Sequence, residues 1–370
     1  MKIGVVKEIK DNENRVGMTP AGAETLISEG HSVSVEVSAG IGSGFSDQEY
    51  IKAGAILVGS KEAWDCDLVV KVKEPLEAEY RYLRQQMLFT FFHLAGVSRS
   101  LTETLLERKT AAIAYETLED EEGKLPLLAP MSAVAGNMSV LMGAYYLASF
   151  NDGKGMQLGT VLDQTYGKVV IIGDGIVGQH AAKVADSMGA KVHIAVLHRE
   201  SGARLKRDIS TRVNYFLSSP QNIAAQIKEA DLVVGAVLRR GEKALHVVTK
   251  SMVKTMQPGS VIVDVSIDQG GCIETSRPTS HADPVYKEHG VIHYCVTNMP
   301  GAYPRTSTIA LTNSTLSYIS QLANGGIRMV GKDRGFSKAV NTFNGYVTYR
   351  PVAEALGFEN RFADLAALLA

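Results

Sequence analysis

The chain has few cysteines, little net charge and no long apolar run. Its three cysteines, Cys66, Cys272 and Cys295, have neither metal-ligand spacing nor a disulfide framework, which is typical of a reducing cytosol. A formal net charge of −1 gives no electrostatic case for binding nucleic acid or a membrane surface. Each apolar stretch is interrupted well before membrane-spanning length, and the first residues resemble a strand rather than a signal peptide. We expect a soluble cytoplasmic protein.

Strand and helix patterns alternate along the 370 residues, which is typical of an α/β fold with parallel sheets. The predicted strands of a first unit are KIGVV, HSVSVEV, DLVVKVK, MLFTFF and AAIAYET, and those of a second unit are VVIIG, KVHIAV, DLVVGAV and SVIVDVS. One long helix pattern begins near Met131 and a second covers 306–324, whereas 151–168 is predicted to be a loop.

These patterns predict two Rossmann-like domains with parallel sheets, joined by two long helices. We place the first domain at residues 1–128 plus 306–370, because the second sheet already has its strands before the last segment begins. Residues 129–305 form the second domain.

A glycine motif marks the start of the second domain. Gly173, Gly175 and Gly178 have the G-x-G-x-x-G spacing between an apolar strand and a helix of small residues. The first glycine allows a tight turn, the second lets the backbone approach a pyrophosphate, and the third lets the helix pack on the strand. The N–H groups at the helix start would then face the phosphates. The motif predicts a dinucleotide site; the alternative is a turn used only for packing.

The acidic residue that usually follows this motif is absent. Val196 ends the next strand, where a carboxylate would bind the ribose hydroxyls of NAD and repel a 2′-phosphate. Arg199, with Arg204 and Lys206, could instead pair with a phosphate, which favours NADP or the use of both cofactors. The alternative is a solvated basic helix face, with Glu200 or Asp208 reaching the ribose.

Polar residues follow three strands of the first domain. Arg15 comes shortly after KIGVV, Lys73 closes DLVVKVK and His93 follows MLFTFF. If these strands are parallel, their carboxyl ends share the edge at which open α/β sheets bind ligands. A guanidinium suits a carboxylate, an ammonium can polarise a carbonyl, and an imidazole titrates near neutral pH. Each residue alone is also compatible with a structural role.

Asp264 and Asp268 lie at another strand end, in VIVDVSIDQGG. Asp268 could face the reactive end of a nucleotide, or it could be a turn aspartate that binds its own backbone. The segment NMPGAYP, at 298–304, is a turn before the second long helix and could be only a linker.

Taken together, these segments resemble the alanine dehydrogenase family, within the alanine dehydrogenase and transhydrogenase alpha-subunit superfamily. The resemblance covers nearly the whole chain and is carried by KEIKDNENRVGMTPAG, VKVKEP, FTFFHLAG, LPLLAPMSAVAG, ADLVVGAVL, VIVDVSIDQGGCIETSRPTSH and NMPGAYPRTSTIALTNSTL. It implies the reversible oxidative deamination of L-alanine to pyruvate and ammonium with NAD, and Val196 makes NADP plausible as well. It also implies an active-site cleft between the two domains and a homo-oligomer, typically a hexamer.

The resemblance further implies a role for individual residues. Arg15 would hold the substrate carboxylate, Lys73 would contact the carboxylate or carbonyl oxygen, and His93 and Asp268 would serve the proton transfers. By family position Ser132, Val237, Leu238, Asn298 and Met299 would line the cofactor site, with Ser218 nearer the adenosine. Val177 in the glycine loop and Arg199 are further candidate cofactor residues.

The chain departs from the family pattern at three places in the second domain. Besides Val196, these are the loop GMQLGTVLDQTYGK, which replaces a segment rich in glycine and proline, and Arg239 with Arg240. Three alternatives therefore stay open: an amino-acid dehydrogenase with another substrate, the nucleotide-binding subunit of a proton-translocating transhydrogenase, and a cofactor-impaired binding or regulatory relative. A transhydrogenase subunit would have little need of Arg15, Lys73 and His93 together.

Overall fold

The computed structural model describes residues 1–237 and 245–370, and the chain forms two compact units. Unit 1 comprises Met1–Met131 and Tyr303–Ala370, and unit 2 comprises Ser132–Ala302. None of the helices within the described ranges is long and apolar enough to cross a membrane.

The strands are β1 Lys2–Val5, β2 Ser32–Glu36, β3 Ile56–Val58, β4 Leu68–Val70, β5 Met87–Thr90, β6 Ala111–Ala114, β7 Gly159–Val161, β8 Gln164–Tyr166, β9 Lys168–Ile172, β10 Lys191–Val196, β11 Asn214–Leu217, β12 Leu232–Gly235, β13 Val261–Asp264, β14 Val285–Glu288, β15 Val291–Tyr294, β16 Val340–Phe343 and β17 Tyr346–Val347. The helices are α1 Pro20–Ser28, α2 Asp47–Lys52, α3 Ser60–Trp64, α4 Arg99–Glu107, α5 Ala129–Tyr146, α6 Ile176–Ser187, α7 Arg199–Asp208, α8 Pro220–Ile227, α9 Lys250–Val253, α10 Pro304–Val330, α11 Arg334–Ser337, α12 Arg350–Leu356 and α13 Leu365–Leu369.

Unit 1 is built on a sheet of order β17-β16-β6-β5-β4-β1-β2-β3. Strands β1 to β6 pair in parallel, and β16 and β17 extend the sheet in the antiparallel sense. The last segment of the chain therefore joins the first sheet. Because β5, β4 and β1 are parallel neighbours, their carboxyl ends lie at the same edge of the sheet.

Unit 2 has a sheet of order β11-β10-β9-β12-β13-β15-β14, in which only β14 runs antiparallel among the described strands. Along β9, Val169 and Ile171 enter one apolar core while Val170 and Ile172 enter the other. Helices cover both faces of such a sheet. Strand β9 lies between β10 and β12, so the strand order reverses at its carboxyl end, the usual ligand-binding position in open α/β sheets.

The predicted α/β class with parallel sheets is confirmed, and four local predictions are wrong. The predicted loop 151–168 contains the hairpin β7–β8, whose turn residue Leu162 has φ of 53°. The strand predicted over DLVVKVK ends at Val70, the one predicted over MLFTFF ends at Thr90, and the one predicted over AAIAYET ends at Ala114. Beyond Val70 and Thr90, glutamate side chains distant in sequence accept backbone N–H groups: Glu8 accepts from Val72, and Glu116 accepts from Phe92 and His93.

Candidate functional site

The glycine loop follows β9 and leads into α6. Gly173 has φ of +117°, and a Cβ atom there would overlap the carbonyl oxygen of Ala236. A Cβ atom on Gly178 would overlap the carbonyl oxygen of Gly173. Gly175 is the N-cap of α6, and a Cβ atom there would have no heavy atom within 4 Å. The loop thus needs two glycines for its own fold and leaves open space where the helix begins, which fits a dinucleotide phosphate.

The side chain of Val196 is fully buried in the core of unit 2 at the end of β10. Arg199, the first residue of α7, is exposed and lines a depression of about 450 Å³ with Lys206, Leu217 and Asn222. Asp208 is the last residue of α7, roughly 13 Å along the helix axis from Arg199. Arg199 and Glu200 therefore begin the helix that follows β10, whereas Asp208 lies at its far end.

Two further predicted cofactor residues anchor strand ends in unit 2. The backbone N–H of Ser218 donates to the carbonyl oxygen of Val196 at 2.8 Å. The carbonyl oxygen of Val237 accepts from the hydroxyl of Ser266 at 2.8 Å. Ser218 follows β11, which pairs with β10, and Val237 follows β12, which pairs with β9. Leu238, Arg239 and Arg240 lie outside the described residues.

The N-terminal part of α5 packs against the start of α6. A Cβ atom on Gly136 would overlap the carbonyl oxygen of Val177, so the two helix backbones approach closely. Ser132, at the beginning of unit 2, is half-buried, and Met299 is buried in the unit 2 core. Ser132 and Val177 therefore lie on the two helices that meet near the glycine loop.

Asp264 organises the loop that carries Asp268. Its buried carboxylate accepts from the N–H groups of Ser266, Cys272 and Ile273 at 3.0–3.2 Å. Burial raises the pKa of Asp264, although these hydrogen bonds oppose the shift. Asp268 lies in the turn of 3₁₀-helix that follows, and it is exposed.

The carboxylate of Asp268 contacts the segment 298–304, which was predicted to be a turn before the second long helix. Its Oδ1 accepts from the backbone N–H of Asn298 at 3.3 Å. Asn298 has φ of 58°, a left-handed conformation that asparagine tolerates better than most residues. The structure thus brings Asp268 and Asn298 together, at the ends of β13 and β15.

Arg15 lies on the loop after β1 and is buried. Its Nε and Nη2 donate to the two carboxylate oxygens of Glu13 at 2.7 and 2.5 Å, and its Nη1 lies 3.1 Å from the sulfur of Met131. The same loop packs on the end of β4, since a Cβ atom on Gly17 would lie 3.0 Å from the carbonyl oxygen of Val70. Glu13 thus fixes the guanidinium, and Gly17 of the same loop packs against the end of β4.

Lys73 follows β4 and is half-buried. Its backbone N–H donates to Oε1 of Glu8 at 3.3 Å, and its carbonyl oxygen accepts from the hydroxyl of Thr90 at 2.9 Å. The main chain at Lys73 is therefore held from both sides, by the loop after β1 and by β5.

His93 follows β5, with φ of 48° and an exposed side chain. Its ring stacks on Phe91, with ring centroids 5.8 Å apart. The two carboxylate oxygens of Glu116 accept from the backbone N–H groups of Phe92 and His93, at 3.2 and 2.6 Å. A left-handed residue outside glycine is strained, and Glu116 stabilises the turn that displays the imidazole.

The glutamates that support these three residues, Glu8, Glu13 and Glu116, are not among the predicted site residues. Glu8 and Glu13 stand in the quoted opening segment beside Arg15, and Glu116 stands in YET. The only signal was the presence of acidic residues near the predicted basic ones. The partners of Glu8 and Glu116 are set by the tertiary fold, at separations of up to 65 residues, whereas Glu13 binds Arg15 two residues away.

Comparison with known proteins places these features in a family. The family description "Alanine dehydrogenase/PNT, N-terminal domain" matches residues 4–135, and "Alanine dehydrogenase/PNT, C-terminal domain" matches residues 139–350. A relative from Staphylococcus epidermidis named alanine dehydrogenase is 50% identical over 363 residues, which cover 97% of this chain and 98% of that protein.

Comparison with solved structures leads to the same family. One titled L-alanine dehydrogenase superposes with a TM-score of 0.93 at 47% identity, covering 96% of this chain and 99% of the other. A transhydrogenase from Sinorhizobium meliloti has a TM-score of 0.82 at 22% identity, covering 94% and 100%, and therefore shares the fold. The resemblance inferred from the sequence is confirmed, and the chain belongs to the alanine dehydrogenase/PNT family.

Proposed function

We propose that the chain is an alanine dehydrogenase, which converts L-alanine, water and a nicotinamide dinucleotide reversibly to pyruvate and ammonium. The observation that carries the proposal is the placement of Arg15, Lys73 and His93 after the adjacent parallel strands β1, β4 and β5, each held by its own glutamate. This supports a substrate site in unit 1, and the glycine loop supports a dinucleotide site in unit 2.

Arg15 and Lys73 bind and orient the substrate. The substrate carboxylate pairs with the Arg15 guanidinium, whose Nε and Nη2 bind Glu13 and so hold it in one orientation. The ammonium of Lys73 contacts the carboxylate or the carbonyl oxygen. Two cations on a rigid sheet edge hold the α-carbon in one orientation, which lowers the entropic part of the barrier.

His93 and Asp268 move the protons. One of them accepts a proton from the substrate ammonium, which leaves a neutral amine. Loss of hydride from the α-carbon, for which the dinucleotide would be the acceptor, turns this amine into an iminium. Water adds to the iminium carbon and gives one proton to these groups, which then protonate the amine and take the proton of the hydroxyl. Pyruvate and ammonia separate, and the ammonia takes up that last proton to become ammonium. Either group can serve as the base, and the proposal leaves the division of these roles to experiment.

A nicotinamide dinucleotide supplies the hydride acceptor for deamination and the hydride donor for the reverse reaction. The residues that would hold it share unit 2: Gly173, Gly175, Gly178, Ser132, Val177, Ser218, Val237, Leu238, Asn298 and Met299. The open space at Gly175 supports this assignment. Because Val196 is buried and apolar while Arg199 is exposed, we propose that the chain accepts NADP as well as NAD.

The test is the initial rate of NADH and NADPH oxidation with ammonium and a panel of oxo acids: pyruvate, 2-oxobutyrate, glyoxylate and phenylpyruvate. The proposal predicts the highest kcat/KM with pyruvate. A higher value with another oxo acid would reassign the substrate. If neither NADH nor NADPH is oxidised with any of these oxo acids, the chain is not an alanine dehydrogenase.

We also propose that the chain works as a cytoplasmic homo-hexamer on small molecules, without nucleic acid or a membrane as partner. Leu141, Tyr145 and Phe150 form an exposed apolar group on unit 2, in which the rings of Tyr145 and Phe150 are 6.0 Å apart. Such a group suits a subunit contact. Light scattering after gel filtration tests this, and a mass of one or two chains would contradict the hexamer.

A further inference from the structure

A buried carboxylate replaces a missing strand beside Lys73. The ladder between β1 and β4 ends with the pair Val5 and Val70, after which the chain leaves the sheet at the β1 side. Beyond this point Oε1 of Glu8 accepts from the backbone N–H of Val72 at 2.6 Å and from that of Lys73 at 3.3 Å. Because buried N–H groups need acceptors, Glu8 takes the role that β1 has along the rest of β4.

The other oxygen of Glu8 belongs to a buried ionic triad. Lys71 is fully buried, and its Nζ lies 3.1 Å from Oε2 of Glu8 and 2.9 Å from Oε1 of Glu79. Oε2 of Glu79 in turn accepts from the backbone N–H of Leu76 at 2.8 Å. Through the triad, the segment around Lys73 is held on both sides, at residues 72–73 and at residue 76.

The triad by itself is expected to add little to the free energy of unfolding. Burial of Glu8 raises its pKa, and although burial by itself lowers the pKa of Lys71, the two glutamates outweigh this effect and raise it. Buried ion pairs often contribute no more than apolar residues of similar volume, because desolvation offsets their attraction. Their directional bonds do fix geometry, and here those bonds end on the backbone of Lys73.

We propose that Glu8 is a positioning residue for the reaction, which acts by fixing the main chain from which Lys73 reaches the substrate. The inference rests on the proposed function, because it requires Lys73 to bind substrate. Glu8 itself need not touch the substrate. Its removal leaves the N–H groups of Val72 and Lys73 without their acceptor and Lys71 with one carboxylate instead of two.

The experiment compares the wild type with Glu8→Ala and Glu8→Gln. Glu8→Ala should raise KM for pyruvate and for alanine roughly tenfold or more, since a small misplacement of a binding group is costly. Glu8→Gln should give a smaller, severalfold rise, because its amide oxygen can still accept from the two N–H groups. KM for NADH should stay within about twofold in both, because the dinucleotide residues lie in unit 2. If Glu8→Ala does not fold, Glu8→Gln decides.

The control is Glu49→Gln, which also removes a carboxylate that accepts a backbone N–H in unit 1, at the start of α2. It should leave all three KM values unchanged.

Hydrogen exchange of a peptide covering 68–76 gives a second measurement that needs no turnover, and Glu8→Gln should speed exchange there. A wild type that is inactive refutes the proposed function. An active enzyme whose Glu8→Gln variant is folded, with an unchanged KM for pyruvate or unchanged exchange, refutes the positioning role.

Discussion

The carboxylate of Glu13 binds the guanidinium of Arg15 through two parallel hydrogen bonds, of 2.7 Å to Nε and 2.5 Å to Nη2. Both side chains are buried, and Oε1 of Glu13 also accepts from the backbone N–H of Arg15 at 3.1 Å. Two residues apart in sequence, they form a rigid unit whose cation is already oriented. In the proposed function, a substrate carboxylate would meet a fixed guanidinium rather than a mobile side chain.

Arg15→Lys should raise KM for pyruvate roughly 10- to 100-fold and leave KM for NADH unchanged. An ammonium cannot reproduce the fork that binds Glu13 and still present N–H groups to the substrate. Steady-state kinetics with each substrate varied in turn provide the measurement. An equal rise in both KM values would point to a general disturbance of the fold instead.

Gly175→Ala and Gly178→Ala form a matched pair within one loop. Gly178→Ala should destabilise unit 2 by about 1–3 kcal/mol, because the added methyl group overlaps a backbone carbonyl. Gly175→Ala should leave Tm nearly unchanged and weaken dinucleotide binding about tenfold, since its methyl group enters open space that the phosphates would use. Thermal unfolding and NADH titration separate the two effects. The assignment of the loop fails if Gly175→Ala binds NADH as the wild type does.

Arg199→Ala tests the origin of cofactor preference. The exposed guanidinium beside the end of β10 suits a 2′-phosphate, so its removal should lower kcat/KM for NADPH about tenfold and that for NADH less than twofold. Arg207→Ala, at the other end of the same helix, serves as the control. Equal losses with both cofactors would show that Arg199 does not recognise the phosphate.

The stability of unit 2 should decrease with acidification below about pH 6.5. His293 is buried, which lowers its pKa, and its two ring nitrogens contact the carbonyl oxygen of Val291 at 3.0 Å and the hydroxyl of Thr275 at 2.8 Å. The unfolded chain therefore takes up a proton in this range that folded His293 does not. The free energy of unfolding falls as pH falls, by at most about 1.4 kcal/mol per pH unit for this group.

Urea unfolding between about pH 7.5 and pH 5.5 measures this effect. His293→Gln should flatten the pH dependence, and His198→Gln, at an exposed position of the same unit, should not. The same slope in the wild type and in His293→Gln would show that His293 does not contribute.

Much of the fold could be predicted because its central strands are continuous apolar runs. Val169 to Ile172 are buried on both faces, and such runs are visible in a sequence. Edge elements gave no such signal. Strands β3 and β17 have three and two residues, and β16 pairs with β6 across more than 220 positions. The hairpin at 159–166 has largely exposed side chains, so its pattern resembled that of a loop.

Candidate site residues could be selected from the sequence where they follow strands, but not where they depend on tertiary contacts. Arg15, Lys73 and His93 could be selected because a polar residue after a buried strand is conspicuous. The role of Glu8 could not, because its partners are 63 to 65 residues away and are set by how β1 and β4 pair. The burial of Val196 likewise follows from the direction of its side chain in β10.

The most direct test of the central claim is the fate of labelled reactants. The chain is incubated with pyruvate, ammonium labelled with nitrogen-15 and NADH carrying deuterium at the transferable position, and the products are identified by mass spectrometry. We expect L-alanine that contains both nitrogen-15 and one deuterium at the α-carbon. Deuterated lactate, or pyruvate recovered unchanged while the dinucleotide stays reduced, would contradict it.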